Sequence, residues 1–379
     1  MIYLDNAATT MQKPPQVVEA VSNALCGFGG VCRGVHGASL AAGMVVYEAR
    51  DALSRLLGGP GAARVGFTYN VTESLNIAIN GLGRRCSHAV TTAASHNSVL
   101  RPLKRLKNAG GFDFAVVPIG ADGSLDLGAF DAAFTPATGF AVVTHASNLT
   151  GDIYDVAAMA EIAHAHDALL VVDAAQTAGC IDIDMGAMGI DVLCVTGHKG
   201  LMGPQGTGAI LLREGLELDP LKVGGSGNHS FDLDNYSAMP ETFEAGTING
   251  HGIAGLGAAV DFVLETGVDA VAAHEHELLL RFEDAVRDIK DLRIFGGEAV
   301  GRTAICALNI GSADSGVIAD ILNNEYGICV RAGAHCAPLM HKALGTAQQG
   351  AVRFSFGFYN TIDEVNDAAH ALHEIASRL

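Results

Sequence analysis

Two segments carry side chains able to do covalent chemistry. Residues 195–208 read VTGHKGLMGPQGTG and set Lys199 among glycines directly after an apolar run. A lysine placed where a buried strand ends offers its amine to a cleft, as a Schiff-base lysine requires, and neighbouring glycines leave backbone N–H groups able to bind an anion. On this segment alone, a surface lysine in a glycine loop is the competing reading. Residues 331–338, RAGAHCAP, put Cys336 next to His335 and shortly after Arg331, a small-residue, basic setting that favours a thiolate. Of the other cysteines, Cys180, Cys194, Cys306 and Cys329 lie in or beside apolar runs and read as small buried hydrophobes. Cys26, Cys32 and Cys86 fall in glycine- or arginine-rich stretches that assign them no catalytic task.

The lysine acquires partners elsewhere in the chain. Pyridoxal phosphate needs an amine for its aldehyde, a carboxylate against its pyridine nitrogen, a group to stack on its ring and an anion cradle. Asp173 and Gln176 in VVDAAQ could meet the ring nitrogen and the phenolic oxygen, and His96 in ASHNSVLRP has a flat ring suited to stacking. Thr72 in NVTESLN, before a helical stretch, and Thr196 with His198 could supply phosphate donors. A nicotinamide enzyme is excluded, because no G-x-G-x-x-G opens a helix after the first strand of a β-α-β unit.

The elements that must hold these groups are legible in outline. FAVVTH (140–145), ALLVVD (168–173) and VLCVT (192–196) are the near-continuous apolar runs expected of strands buried on both faces of a mainly parallel sheet. Between the first two, residues 155–167 have apolar residues at helical spacing after an acidic start, making a β-α-β unit. Ligands of open α/β sheets collect at the carboxyl ends of strands, where His145, Asp173 and Thr196 fall. Beyond residue 250 a long helical segment, a hairpin-like stretch near 292–310 and a helical C-terminus suggest a smaller α+β unit. The expected division is a large domain over 15–250 and a small one made of 1–14 with 251–379.

Bulk composition narrows the class. Apolar residues make up 49% and charged ones 17%, with 47 glycines, which describes a compact globular enzyme. The net charge of -18 disfavours nucleic acid and anionic membrane surfaces, and no offsetting basic patch is expected. No leader-like start and no apolar run of about 20 residues is seen, so the cytoplasm is expected. Eight scattered cysteines without paired spacing read as reduced thiols. Cys32 with His36, and His164 with His166, are the nearest approach to ligand spacing, and no metal site is expected.

Eight segments in order along the chain carry a resemblance: LDNAATT (4–10), SHNS (95–98), HASNLTG (145–151), VVDAAQ (171–176), TGHKGLMGPQGTG (196–208), FEAGT (243–247), RAGAHCAP (331–338) and VRFSFGFYNT (352–361). Together the sequence resembles the class V aminotransferase family, and within it the cysteine desulfurase branch. The resemblance implies a fold type I architecture and pyridoxal phosphate bound by Lys199, Asp173, Gln176, His96 and Asn148. Thr72, Thr196 and His198 match the phosphate cradle. Thr247 matches a residue given by the neighbouring subunit, which implies a homodimer with shared sites. Arg353 resembles the arginine that clamps a substrate carboxylate, with Arg331, His36 and Asn148 also on the substrate side. Three positions depart from the pattern: Ser95 where relatives carry an acid, Cys32 where many carry histidine, and Thr196 for serine.

Loss of an α-proton is common to transamination, elimination and desulfuration. A thiolate that takes the substrate sulfur separates the last, and the resemblance implies that Cys336 is that thiol. The implied reaction converts L-cysteine to L-alanine with a Cys336 persulfide for a sulfur-acceptor protein. The short cysteine loop resembles the second desulfurase group, so L-selenocysteine is an alternative substrate. Selenocysteine lyase, another class V aminotransferase or C–S lyase, and a cofactor-bound acceptor scaffold stay open as alternatives.

Overall fold

The computed structural model describes residues 1–31, 34–225, 227, 231, 233, 238–297 and 301–379; Cys32 lies outside these described residues. A short N-terminal strand, β1 (Ile2–Tyr3), precedes the principal sheet. That sheet is built from β2 (Val65–Thr68), β3 (His88–Thr92), β4 (Asp113–Val117), β5 (Thr138–Thr144), β6 (Leu169–Asp173), β7 (Val192–Thr196) and β8 (Gly208–Leu212). Their spatial order is β2-β8-β7-β6-β5-β3-β4, and β8 alone runs against its neighbours. The chain is therefore α/β with a mostly parallel central sheet.

The helices are α1 (Pro15–Gly27), α2 (Gly37–Leu56), α3 (Val71–Gly83), α4 (Asn97–Ala109), α5 (Leu127–Ala132) and α6 (Val156–Ala165). There follow α7 (Gly250–Thr266), α8 (Val268–Val286), α9 (Ser315–Tyr326), α10 (Pro338–Ala343) and α11 (Ile362–Arg378). A second, antiparallel sheet has the order β12 (Arg331–Gly333), β13 (Ala351–Ser355), β10 (Ile305–Ile310) and β9 (Leu292–Phe295). The hairpin-like stretch is thus real, with Ala307 opposite Phe295. A final strand, β11 (Ile328–Cys329), pairs with β1 in parallel.

Strand periodicity divides the core between the faces of the principal sheet. Ala141, Val143, Leu170, Val172, Leu193 and Val195 enter one apolar cluster; Phe140, Val142, Val171, Val192 and Cys194 enter another on the opposite face. Both faces being covered is why these runs are apolar throughout rather than alternating. Helix α6 starts where its acidic opening suggests: Ala158 N donates to Asp155 Oδ1 at 3.0 Å, filling an otherwise free first-turn amide. A third cluster joins Leu4 to Phe282, Phe354 and Leu372, tying the N-terminus to the last third of the chain. Helix α7 instead packs on α1 and α2 and joins the first cluster through Ile253, Leu256 and Val260.

Candidate active site

The carboxyl ends of β5, β6 and β7 open onto a cavity of about 340 Å³. Thr144, Asp173 and Thr196 line it from those ends, as do His96, Lys199 and Cys336 from the loops. His145, buried at the same edge, does not line it. Asp173 is 5% exposed, and its Oδ1 accepts from Ala175 N at 3.0 Å. Burial raises the Asp173 carboxyl, opposed by that amide and by Lys199. Desolvation pushes the Lys199 ammonium down to about 8; Asp173 resists the shift, and Arg353 and Arg331 reinforce it. An amine tuned into this range can exchange protons near neutral pH.

Two of the glycine amides expected to bind an anion are engaged within the loop. Gly197 N donates to Thr207 O at 2.9 Å and Gly203 N to Gly197 O at 2.7 Å, so these amides are spent inside the loop. Its glycines serve close packing: a Cβ on Gly197 would lie 2.1 Å from Thr207 Oγ1, and one on Gly200 2.7 Å from Ala178 O. Anion donors come instead from α3 and from side chains of the lysine loop itself. Thr72 lies in the first turn of α3, whose N-cap Asn70 accepts from Glu73 N at 3.1 Å, leaving other first-turn amides free. Thr196 Oγ1 and His198 Nδ1 are buried without a hydrogen-bond partner. Orphan polar atoms at this depth cost about 1–3 kcal/mol each, so both fit a site completed by a ligand. With a desolvated lysine facing a buried carboxylate, the donor set fits pyridoxal phosphate.

His96 caps α4: its Nδ1 accepts from Ser98 N at 3.0 Å and lies 2.8 Å from Ser98 Oγ. Burial first, then Lys199, Arg331, Arg101 and Arg353, push its pKa to about 4, leaving an uncharged ring. His198 is held near 4 by burial, Lys199 and Lys13. Gln176 lines the cavity while its Nε2 donates to Ala7 O at 3.1 Å.

Across the cavity, Arg331 and Arg353 face each other directly on β12 and β13. Like charges opposite one another destabilise a strand pair unless an anion joins them. One anion is Asp5, 2.8 Å from Arg353 Nη2; Nη1 donates to Asn148 O at 2.8 Å, and Nε has no partner. Asn148 Nδ2 donates to His335 O at 2.7 Å, and its Oδ1 is buried without a partner. This wall carries more positive than negative charge and open donors, a setting for a carboxylate.

Cys336 is partly exposed between His335 and Pro338. His335 and Cys336 both have left-handed backbone, with φ of 49° and 56°. Such non-glycine residues cost energy and persist where surroundings hold them. Here Asn97 N donates to Cys336 O at 2.9 Å, and Asn148 holds His335 O. The basic character assigned to the loop needs correction: burial, then Arg353, push His335 to about 3, so it is uncharged and Arg331 supplies the charge. Burial raises the thiols of Cys180, Cys194 and Cys306, leaving them poor nucleophiles. Cys329 is only partly buried, and Cys26 lies within α1 rather than in a loop.

Two expected residues stand apart from the cavity. Thr247 lines a separate cleft with Tyr69, Glu73 and Lys222, and His36 is exposed before α2. Ser95 is fully buried and lies 2.9 Å from Thr91 Oγ1, facing the sheet. His164 and His166 hold Asp191 and Asp131 at 2.9 and 2.7 Å, packing roles. Sequence reasoning missed Asp5 as the partner of Arg353, although the residue stands in the quoted LDNAATT; the two are 348 positions apart.

A family model described as Aminotransferase class-V matches residues 2–367. A probable cysteine desulfurase of Methanothermobacter thermautotrophicus is 34% identical over 382 residues, covering 99% of this chain and 94% of that protein. A cysteine desulfurase of Escherichia coli (strain K12 / DH10B) is 32% identical over 386 residues, covering 99% and 93%. The apo structure of a cysteine desulfurase from Thermococcus onnurineus NA1 superposes with a TM-score of 0.93 at 32% identity, covering 100% of this chain and 95% of that one.

Proposed function

The chain belongs to the class V aminotransferase family, whose members use pyridoxal phosphate, and on that premise we propose that it is a cysteine desulfurase converting L-cysteine to L-alanine and a Cys336 persulfide. The observation that carries this reading is that Cys336 and Lys199 line one cavity together with paired arginines.

When bound, pyridoxal phosphate supplies the electron sink that acidifies the substrate α-proton. Asp173 would hold its ring nitrogen and Gln176 its phenolic oxygen, with His96 as the stacking ring and Thr72, Thr196 and His198 around its phosphate. Arg353 and Arg331 bind the substrate carboxylate, with Asn148 beside them. The Lys199 amine takes the α-proton and returns one to the β-carbon. The Cys336 thiolate attacks the substrate sulfur, forming an S–S bond as the C–S bond breaks. Enzyme thiol plus cysteine thus becomes enzyme persulfide plus alanine, with no external oxidant.

A homodimer with shared sites accompanies this reading. It is supported by Thr247 standing in a cleft apart and by exposed apolar side chains, Leu40, Met44 and Tyr47 on α2 and Val18 and Leu25 on α1. A reducing, cytoplasmic setting is supported by the seven described cysteines all being free. Among the described residues no helix is long and apolar enough to cross a membrane.

The decisive measurement is alanine formation by Cys336→Ala. Activity on L-cysteine should fall by at least about 100-fold while cofactor absorbance is kept. Undiminished desulfuration by this variant overturns the assignment. L-selenocysteine, turned over in parallel, reports whether the cofactor site is intact.

A further inference from the structure

Cys336 lines a second cavity. It too measures about 340 Å³ and shares Thr72, His96, Ser98 and Cys336 with the first, but its outer wall is Arg101 and Arg105 of α4. This helix, NSVLRPLKRLKNA, carries Arg101, Lys104, Arg105 and Lys107 and no acidic residue, in a chain of net charge -18. The chain-wide excess of acid concealed this local basic patch. Lys107 is paired with Asp113, whereas Arg101, Lys104 and Arg105 are exposed and form no ion pair with a described residue. Arg101 and Arg105 are one turn apart on one helix face, where unscreened like charges work against the helix. A row of cations leading to a thiol is the arrangement an anionic visitor would complete.

We propose that this outer cavity is the sulfur-exit site, and that α4 docks an acidic polypeptide segment bearing a cysteine. The inference rests on the Cys336 persulfide reading. In the exit step the acceptor thiolate attacks the terminal sulfur of the persulfide. One S–S bond forms, the old one breaks, and Cys336 regains the proton the acceptor gave up. A thiol alone fills only the inner end near Cys336; the arginines lie further out and call for a carrier with its own carboxylates. Charge complementarity then raises the encounter rate and loses force with salt. Cys336 would face substrate on one side and acceptor on the other, so neither has to leave for the other to be served.

The test loads the holoenzyme with radiosulfur from L-cysteine and follows release to three thiols: a cysteine peptide flanked by Asp and Glu, its counterpart flanked by Lys, and dithiothreitol. The acidic peptide should accept sulfur about tenfold faster than the basic one at low salt, an advantage lost near 0.5 M salt. Arg105→Glu, and more mildly Arg101→Gln, should remove that advantage while leaving transfer to dithiothreitol unchanged. Equal rates for the two peptides, or an advantage that survives Arg105→Glu, overturns the proposal. So does loss of the dimer in Arg105→Glu, which would make α4 a subunit contact, or equally charge-dependent retention of RNA. If no label is loaded that dithiothreitol can release, the persulfide reading fails and takes this proposal with it.

Discussion

Lys199 and Cys336 line one cavity, yet the backbone beneath them is built in different ways. The lysine loop is interlocked: Gly197 and Gly200 press against Thr207 and Ala178 so closely that a methyl group would collide with either neighbour. At His335 and Cys336 the cysteine loop is held differently. Its left-handed residues are held by two hydrogen bonds from separate elements, from Asn97 of α4 and from Asn148 after β5. The amine needs a fixed, desolvated position because its pKa and its aim both matter. The thiol must reach two cavities, and a loop held at its carbonyls leaves the side chain between them.

The largest effect should come from the desolvation of the Lys199 amine. Lys199 is lowered to about 8, so neutral amine grows with pH up to that value and then saturates. Capture of pyridoxal phosphate by apo-protein should speed up about fiftyfold from pH 6 to pH 8 and less than about threefold beyond, whereas an ordinary lysine near 10.5 would gain about tenfold per unit throughout. His96 and His198, both near 4, stay neutral over this range; Lys13, also lowered to about 8 by burial, titrates with Lys199, so the same measurement on Lys13→Met isolates the Lys199 profile. Stopped-flow absorbance reads it directly; a rise continuing to pH 10 shows that the amine is not desolvated. Next in size, Gly200→Ala should destabilise the protein by about 2 kcal/mol in denaturant unfolding, because the added Cβ would lie 2.7 Å from Ala178 O. An unchanged midpoint would remove the interlock from the comparison.

Sequence patterning conveyed one loop better than the other. Apolar runs located β5, β6 and β7 because burial on both faces leaves a continuous signature, and the position of Asp173 and Thr196 followed from strand direction. Glycines around Lys199 signalled a tight loop, but not which amides it engages: Gly197 N pairs with Thr207 O and Gly203 N with Gly197 O only once the loop has closed on itself. The charge of the cysteine loop was misread for a related reason. His335 looks basic in RAGAHCAP, yet at 4% exposure it is neutral, and burial of a loop residue is not encoded locally. Arg353 could be recognised as an anion binder, but not its standing partner Asp5, since that contact closes the chain almost end to end.

The smallest effect separates the loops by sign. Cys336→Gly and Cys336→Ala both delete the thiol, so they differ only in how the backbone tolerates φ of 56°. Left-handed backbone costs a residue with a Cβ about 1–2 kcal/mol, while glycine gives back about 0.5–1 kcal/mol through its freer unfolded chain. The glycine variant should therefore be more stable than the alanine variant by about 0.5 kcal/mol, the reverse of the order at an ordinary helical position. Paired thermal and denaturant unfolding of the two proteins decides it. Alanine ahead of glycine would mean that Cys336 is not held in the left-handed region, and that the hydrogen bonds from Asn97 and Asn148 do not constrain this loop.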